Sequence, residues 1–210
     1  MKRLLDLFCG AGGSAVGYHR AGFEVVGVDH LPQKNYPFEF HLADAMTYPL
    51  EGFDVIHASP PCQEYTPLRA RQNGKHYPDL VAPTRQRLAA VAATWVIENV
   101  PGAPLDHWFY LCGGMFGLRT YRHRRFECSC LVMQPHHPRH IAKTSTKRRR
   151  RDFDAGMHIS ITGDVGSWLG PACMGIDWMT GNELSQAIPP AYTFYIGTRL
   201  MEYLLARKGD

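Results

Sequence analysis

Short apolar runs recur along the first hundred residues, separated by polar or glycine-rich stretches. Each run has the length of a buried strand, and the predicted strands are residues 3–8, 24–29, 38–42, 54–59 and 95–100. Helical spacing of apolar positions is found in the stretch that ends near Ala21, in Thr84–Thr94 after Pro83, and in 189–206. Strands that alternate with helices in this way predict βαβ crossovers. We therefore expect an α/β fold with a doubly wound, mostly parallel sheet.

The charge of the chain is unevenly distributed, although 210 residues of this composition fit one globular domain. Of its 23 lysines and arginines, 11 fall between Arg119 and Arg151, where Glu127 is the single acid. The rest of the chain holds 12 bases and 18 acids. An acidic body with one basic segment indicates a polyanionic partner bound at a defined place, although a solvated loop would have the same charge.

Several classes of protein are excluded by the same composition. The sequence contains no apolar run that approaches the roughly 18 residues of a membrane span, so no membrane association is expected. Asp6 interrupts the apolar start before it reaches the length of a signal peptide, which predicts an intracellular protein. The six cysteines are scattered, so each is expected to be a thiol, a metal ligand or a nucleophile.

A glycine-rich turn follows the first predicted strand. Gly10, Gly12 and Ala15 fit the loose dinucleotide pattern G-x-G-x-x-A, and Asp29 ends the next strand, where a carboxylate can bind ribose hydroxyls. The turn predicts a nucleotide-like cofactor, but it does not distinguish NAD from S-adenosylmethionine.

A lone cysteine stands just past the fourth predicted strand, in the run Ala-Ser-Pro-Pro-Cys-Gln that contains Cys62. Glu98, in the run Glu-Asn-Val-Pro, closes the fifth strand. Because parallel strands end at the same edge of a sheet, we expect Cys62 and Glu98 to lie side by side. Rigid prolines and polar neighbours favour a nucleophile over a buried structural thiol.

The motifs DLFCGAGG, PPCQ, ENVPG, RxR and QAIPP occur in this order. Together they resemble the cytosine-C5 DNA methyltransferase family, in particular the compact members found in phage and actinobacterial genomes. The resemblance covers Leu4 to about Phe126 and resumes at Glu183–Gly197. It implies a Rossmann-like fold of the S-adenosylmethionine-dependent methyltransferase type. It also implies double-stranded DNA as partner, a monomer, and the cytoplasm of a bacterium or of a phage-infected cell.

The resemblance assigns Cys62, Glu98, Arg122 and Arg124 to catalysis. The Cys62 thiolate would add to C6 of a flipped-out cytosine, which requires a pKa lowered by cationic neighbours or helix dipoles. Glu98 would protonate or hydrogen-bond N3, which requires a carboxyl that its pocket keeps partly protonated. Arg122 would hold the O2 edge of the cytosine and the adjacent phosphate, and Arg124 is the second candidate for this role.

The remaining site residues are also implied by the resemblance. The S-adenosylmethionine pocket would be formed by Phe8, Gly10, Gly12, Asp29, His30, Asp44, Ala45, Pro61, Gln186 and Ile188. DNA contacts are expected from Gln63, Asn99, Arg69, Arg71, Lys147, Arg148, Arg149 and Arg150, with the loop 64–82 as a lid over the flipped base. Two positions depart from the family pattern, which has asparagine at Gln186 and glutamine at Thr120.

The region for target recognition is short in this chain. We expect a single catalytic domain over 1–210 whose residues 127–182 form a reduced, basic recognition segment, and a sequence context of two or three bases. An RNA (tRNA) cytosine-C5 methyltransferase, a non-catalytic DNA-binding remnant and an NAD-dependent oxidoreductase are the alternatives. A role in restriction, self-protection or further base modification is left open.

One cluster in this segment has residue types that can bind zinc, namely Cys128, Cys130, His136, His137 and His140. Their spacing is not that of a standard zinc finger. The sequence therefore favours polar loop residues with partly buried thiols, and no metal is expected.

Overall fold

The computed structural model describes residues 1–65, 77–163 and 165–207. Within these residues a seven-stranded sheet has the order β3-β2-β1-β4-β5-β7-β6. Its strands are β1 (Lys2–Leu7), β2 (Phe23–Asp29), β3 (Glu39–Leu42), β4 (Val55–Ala58), β5 (Thr94–Asn99), β6 (Phe109–Leu111) and β7 (Arg124–Cys128). The first five strands pair in parallel, and β7 joins β5 and β6 in antiparallel register. The doubly wound, mostly parallel sheet is therefore confirmed.

The helices are α1 (Gly13–Arg20), α2 (Val81–Ala89), α3 (Arg150–Asp154), α4 (Gly181–Gln186) and α5 (Pro190–Ala206). The prediction for α2 was wrong at both ends, because Thr84–Thr94 was expected. Pro83 lies inside the first turn, where a missing N–H breaks no helical hydrogen bond. Thr94 belongs to β5 instead, since it pairs with Val55.

The two faces of the sheet carry separate cores, which follows from the alternation of side chains along a strand. Leu4 of β1 packs with Tyr18 and Ile196, beneath α1 and α5. Its neighbour Leu5 packs with Leu88 of α2 on the opposite face.

Helices α1 and α5 approach each other closely at Gly17. A Cβ atom at this position would lie 2.0 Å from Thr193 Oγ1, so glycine is required. The Thr193 hydroxyl in turn donates to the carbonyl of Ser14 at 2.8 Å. This contact places the segment that leads into α5 beside the glycine turn of α1.

The region after β7 folds back onto this sheet with a small core of its own. The pair β8 (Thr144–Ser145) and β9 (His158–Ile159) is parallel. Buried apolar residues between Ile159 and Leu184 form a third cluster, to which Ala11 of the glycine turn also belongs. No helix in the described part of the chain is both long and apolar enough to span a bilayer.

Candidate active site

Cys62, Glu98 and Arg124 come together at one edge of the sheet. Cys62 follows β4 after the diproline turn, and Glu98 is the penultimate residue of β5. Since β7 runs antiparallel to β5, its first residue, Arg124, lies at the carboxyl edge of the parallel strands. Arg124 Nε is 3.0 Å from Glu98 Oε1. The structure thus places the predicted thiol and carboxyl beside a guanidinium.

The Glu98 carboxyl is buried, and this burial raises its pKa, while the positive charges of Arg124 and Arg122 and a hydrogen bond from Ser59 oppose the rise. Among the described residues, Glu98 Oε1 has no hydrogen-bond partner of good geometry, although it forms an ion pair with Arg124. The Arg124 guanidinium is thus the group that compensates the charge of this buried oxygen.

Cys62 is half-buried, and its pKa is raised by burial and by the charge of Glu98. Arg124 and Arg122 lower the pKa of Cys62, but by less. This corrects the expectation of a lowered pKa, because the arginine charges do not outweigh the loss of water around the sulfur.

Arg122 and Arg124 differ in their contacts. The buried guanidinium of Arg122 donates to three backbone carbonyls, those of Ile161 at 2.6 Å, Ser185 at 2.8 Å and Ala187 at 2.9 Å. Arg122, expected ahead of Arg124 at the O2 edge of the base, thus donates to the backbone in this structure, whereas Arg124 holds the ion pair with Glu98. Arg122 instead joins β7 to the late QAIPP motif.

Asn99 does not lie where DNA could contact it, which corrects that expectation. Its side chain is buried and donates to the carbonyl of Pro60 at 2.9 Å, while its Oδ1 accepts from the N–H of Val100. Asn99 thus fixes the diproline turn in front of Cys62. Gln63, by contrast, has a buried Oε1 without a hydrogen-bond partner in the described residues.

The glycine turn has an open side that faces the same edge. Gly10 and Gly12 have φ angles of 49° and 82°, and Phe8 lies at 58°, a region that only glycine enters readily. A Cβ atom at Gly10 would meet nothing within 4 Å. Asp29 accepts from the N–H of Gly10 at 3.1 Å and from that of Leu31 at 3.0 Å. Its carboxylate is thereby fixed beside the turn.

The other residues predicted for the cofactor lie around this turn. His30 is exposed, with Nδ1 3.3 Å from Asp29 Oδ1. Asp44 is exposed and Ala45 is buried, and they follow β3, which pairs with the end of β2. Pro61, half-buried, precedes Cys62 at the adjoining edge.

The late motif closes the glycine turn from the other side. A Cβ atom at Gly13 would lie 2.4 Å from the carbonyl oxygen of Ile188, so the two segments are in direct contact. Gln186 ends α4 with its side chain exposed. Trp178 Nε1 donates to the carbonyl of Ala11 at 2.9 Å, a contact that no sequence motif had indicated.

A buried hydrogen-bond chain behind Glu98 was also missed. His57 lies between the Tyr18 hydroxyl at 3.0 Å and the Ser59 hydroxyl at 2.9 Å, and Ser59 bonds to Glu98. Burial lowers the pKa of His57 to about 3, so the ring is neutral. His57 lies inside an apolar-looking strand, and the sequence pattern gave no signal for its role.

The structure describes some, but not all, of the residues that were predicted to contact DNA. Arg69 and Arg71, with most of the loop 64–82, lie outside the described residues. Lys147 and Arg149 are exposed. Arg148 donates to the carbonyl of Thr162 at 2.6 Å, and Arg150 pairs with Asp154.

Comparison with known proteins identifies the class. No protein-family profile matches the sequence. The structure superposes with a TM-score of 0.66 on an Escherichia coli prophage protein assigned as a DNA modification methyltransferase, and of 0.60 on Schizosaccharomyces pombe Dnmt2 methyltransferase. These alignments span 97% of this chain and 99% of the other, at 14% and 12% identity. The fold is therefore that of the Rossmann-like α/β methyltransferases.

Two curated relatives, both from Herpetosiphon aurantiacus, narrow the class. The chain is 31% identical over 122 residues to Type II methyltransferase M.HgiGI, across 50% of this chain and 94% of the relative. It is 28% identical over 134 residues to Type II methyltransferase M.HgiDI, across 57% of this chain but only 43% of the relative. The match thus spans less than half the length of M.HgiDI. The chain belongs to the Type II methyltransferases.

Proposed function

We propose that the protein is a DNA cytosine-C5 methyltransferase that transfers a methyl group from S-adenosylmethionine to a flipped-out cytosine. The observation that carries this proposal is the meeting of three groups at one edge of the sheet. A thiol, a buried carboxyl with a raised pKa and a guanidinium lie together at Cys62, Glu98 and Arg124. The glycine turn opens beside them.

These groups match what methylation at carbon 5 requires, because this carbon is a poor nucleophile in the aromatic ring. The Cys62 thiol gives up its proton to water, and the sulfur forms a bond to C6 as the C5–C6 double bond opens, which breaks the aromaticity and gives C5 enamine character. Glu98, whose pKa is raised by burial, would protonate or hydrogen-bond N3 and relieve the negative charge that builds on the ring. Arg124 stands beside this carboxyl and can hold the O2 edge or a phosphate.

The cycle closes when the products separate. After C5 has taken the methyl group, a base removes the C5 proton, the electron pair reforms the C5–C6 double bond, and the C6–S bond breaks. Cys62 leaves as a thiolate and takes up a proton again, since its pKa is raised in the free protein.

The residues around the glycine turn fit S-adenosylmethionine, which supplies the methyl group. The open side of Gly10 leaves room for a ligand against the backbone. The Asp29 carboxylate, fixed by two N–H donors, has lone pairs left for ribose hydroxyls. Asp44 and Ala45 would bind the adenine, and Phe8, His30, Pro61, Gln186 and Ile188 would complete the pocket.

DNA as the substrate is supported by the basic run Lys147–Arg150, and the prophage protein that shares the fold is assigned as a DNA modification methyltransferase. A cytosine inside a duplex is out of reach of Cys62, so the base must be flipped out. Phosphate contacts by the basic run position the protein without reading sequence, and we expect a recognition context of two or three bases.

The test is methylation of plasmid DNA by wild type, by Cys62→Ala and by the matched control Cys130→Ala, followed by base-resolution mapping of 5-methylcytosine. Wild type and Cys130→Ala should mark one short context, and Cys62→Ala should leave no mark. No mark by wild type in any context would favour the non-catalytic remnant. A consensus of five or more bases would overturn the short context.

The RNA alternative and the covalent step are tested separately. Duplex DNA and tRNA compete as acceptors of a labelled methyl group, and labelling of tRNA alone would reverse the choice of substrate. An oligonucleotide with 5-fluorocytosine should trap the protein, because fluorine cannot leave C5 as a proton does. Absence of a Cys62-dependent covalent complex would contradict the proposed addition to C6.

A further inference from the structure

One cysteine and three histidines converge at the outer end of the β6–β7 hairpin. Cys112 follows β6 and His123 precedes β7, and the register Leu111↔Arg124 brings these two residues opposite each other. His137 and His140 reach the same point from the segment after β7. One side-chain atom from each of the four residues lies within 4.8 Å of all the others.

The separations between these atoms fit a tetrahedral metal site. His137 Nε2 lies 3.2 Å from His123 Nε2 and 3.2 Å from His140 Nε2, and Cys112 Sγ lies 3.2 Å from His140 Nε2. A tetrahedral Zn²⁺ with usual bond lengths separates two nitrogens by about 3.3 Å and a nitrogen from a sulfur by about 3.5 Å. The four atoms therefore stand near the corners that one zinc ion needs.

Hydrogen bonding among the four groups accounts poorly for this arrangement. His137 Nε2 faces two other ring nitrogens, and a neutral imidazole has a single N–H, so hydrogen bonds to both partners require particular tautomers of all three rings. One cation would bind every lone pair at once. The sulfur of Cys112 is also fixed in position, because it is buried and accepts hydrogen bonds from the backbone N–H groups of Gly114 and Met115.

We propose that Cys112, His123, His137 and His140 bind one structural Zn²⁺. Zinc is favoured because thiolate and imidazole ligands in tetrahedral geometry suit it, and four protein ligands leave no open position for catalysis. On binding, the Cys112 thiol loses its proton to water and the sulfur bonds to the metal. Neither Cys128 nor Cys130 takes part, since both pack against the apolar core.

The ion would connect the β6–β7 hairpin to the segment that follows β7. Its ligand His123 stands between Arg122 and Arg124. Its ligands His137 and His140 lie in the segment after β7, where regular structure is sparse. Zinc at this point would fix that segment against the strand that carries Arg124. This role does not depend on which base the protein methylates.

The test measures metal in the full-length protein, purified after growth with zinc. Wild type should hold one zinc per chain, and His137→Ala should fall below about a tenth of this. The adjacent, exposed His136 provides a matched control, because His136→Ala changes the same residue type and should keep the metal. Wild type without zinc after reconstitution, or equal loss in His136→Ala, would overturn the proposal.

Two further measurements separate metal binding from a folding defect. Cobalt-loaded wild type should show the charge-transfer band of a cobalt–thiolate bond, and Cys112→Ser should lack it while Cys130→Ser keeps it. The melting temperature of wild type should fall with a chelator and return with Zn²⁺. A melting temperature that is indifferent to chelator, or a cobalt band retained in Cys112→Ser, would contradict the assignment.

Discussion

Arg122 and Arg148 donate hydrogen bonds to the carbonyl oxygens of two successive residues, Ile161 and Thr162, each at 2.6 Å. Arg122 belongs to the edge that carries Cys62, and Arg148 belongs to the basic run proposed to bind phosphate. The two positive regions are therefore attached to the same short stretch of backbone. Under the proposed function, this stretch would couple contact with DNA to the geometry of the edge that carries Cys62.

The two arginines of the RxR motif should respond differently to substitution by lysine. Arg122→Lys loses donors to three backbone carbonyls and should lower the free energy of unfolding by about 3 kcal/mol, measured by urea denaturation. Arg124→Lys keeps a positive charge beside Glu98 and should unfold within about 1 kcal/mol of wild type, yet transfer methyl groups at least tenfold more slowly. Equal losses of stability would contradict these separate roles.

The pH at which Cys62 reacts should depend on Glu98. Since burial and Glu98 raise the pKa of Cys62, the thiolate is scarce at neutral pH, and alkylation at this site should accelerate as pH rises beyond 9. Glu98→Gln removes a negative charge, so the pKa of Cys62 should fall and the alkylation curve should move to lower pH. Site-resolved mass spectrometry after iodoacetamide treatment measures this curve. A shift to higher pH would show that the sign of the interaction is wrong.

Substitution of two glycines by alanine should distinguish a loss of cofactor affinity from a loss of stability. Gly17→Ala would place a Cβ 2.0 Å from Thr193 Oγ1 and should destabilise the fold by about 3 kcal/mol. Gly10→Ala has space around its Cβ but a φ of 49°, so its cost to stability should be about 1–2 kcal/mol. Calorimetry with S-adenosylhomocysteine should show at least a tenfold loss of affinity for Gly10→Ala, and unchanged affinity would place the cofactor elsewhere.

Removal of two exposed charges in the basic run should weaken DNA binding in a salt-dependent way. The double variant Lys147→Ala with Arg149→Ala should reduce the slope of log affinity against log salt by up to about 2, with the same change for any sequence. Arg20→Ala is a suitable control, because α1 runs back from the carboxyl edge and Arg20 ends it at the opposite edge. If Arg20→Ala reduced the salt slope as much per charge, the basic run would contribute no more to DNA binding than any other exposed arginine.

Much of the fold could be predicted because periodic patterns and a single geometric rule suffice for it. The five parallel strands follow from short apolar runs, and the proximity of Cys62 and Glu98 follows from the shared edge of neighbouring strands. The distinction between Arg122 and Arg124 could not be predicted. It depends on carbonyls at sequence separations of 39 to 65 residues, which local sequence does not reveal.

Dependence on contacts that only the folded chain creates also explains the other differences between the sequence-based predictions and the structure. The pKa of Cys62 depends on how much water the fold removes, and the burial of Asn99 depends on the path of the diproline turn. The cluster of Cys112 with His123, His137 and His140 was missed because strand register, and not spacing along the sequence, brings Cys112 and His123 together. Sequence proximity suggested Cys128 and Cys130, which face the core instead.

The segment that leaves β7 at Cys128 returns at Ile161 to the side chain of Arg122, six positions before the point of departure. The far end of this long excursion is thus fixed at the carboxyl edge of the sheet, at the opposite end of β7 from Cys128. An excursion of this kind can gain, lose or exchange residues without moving its ends. In the methyltransferase proposed above, the surface that meets DNA would then be free to diversify during evolution, while the chemistry at the edge of the sheet stays the same.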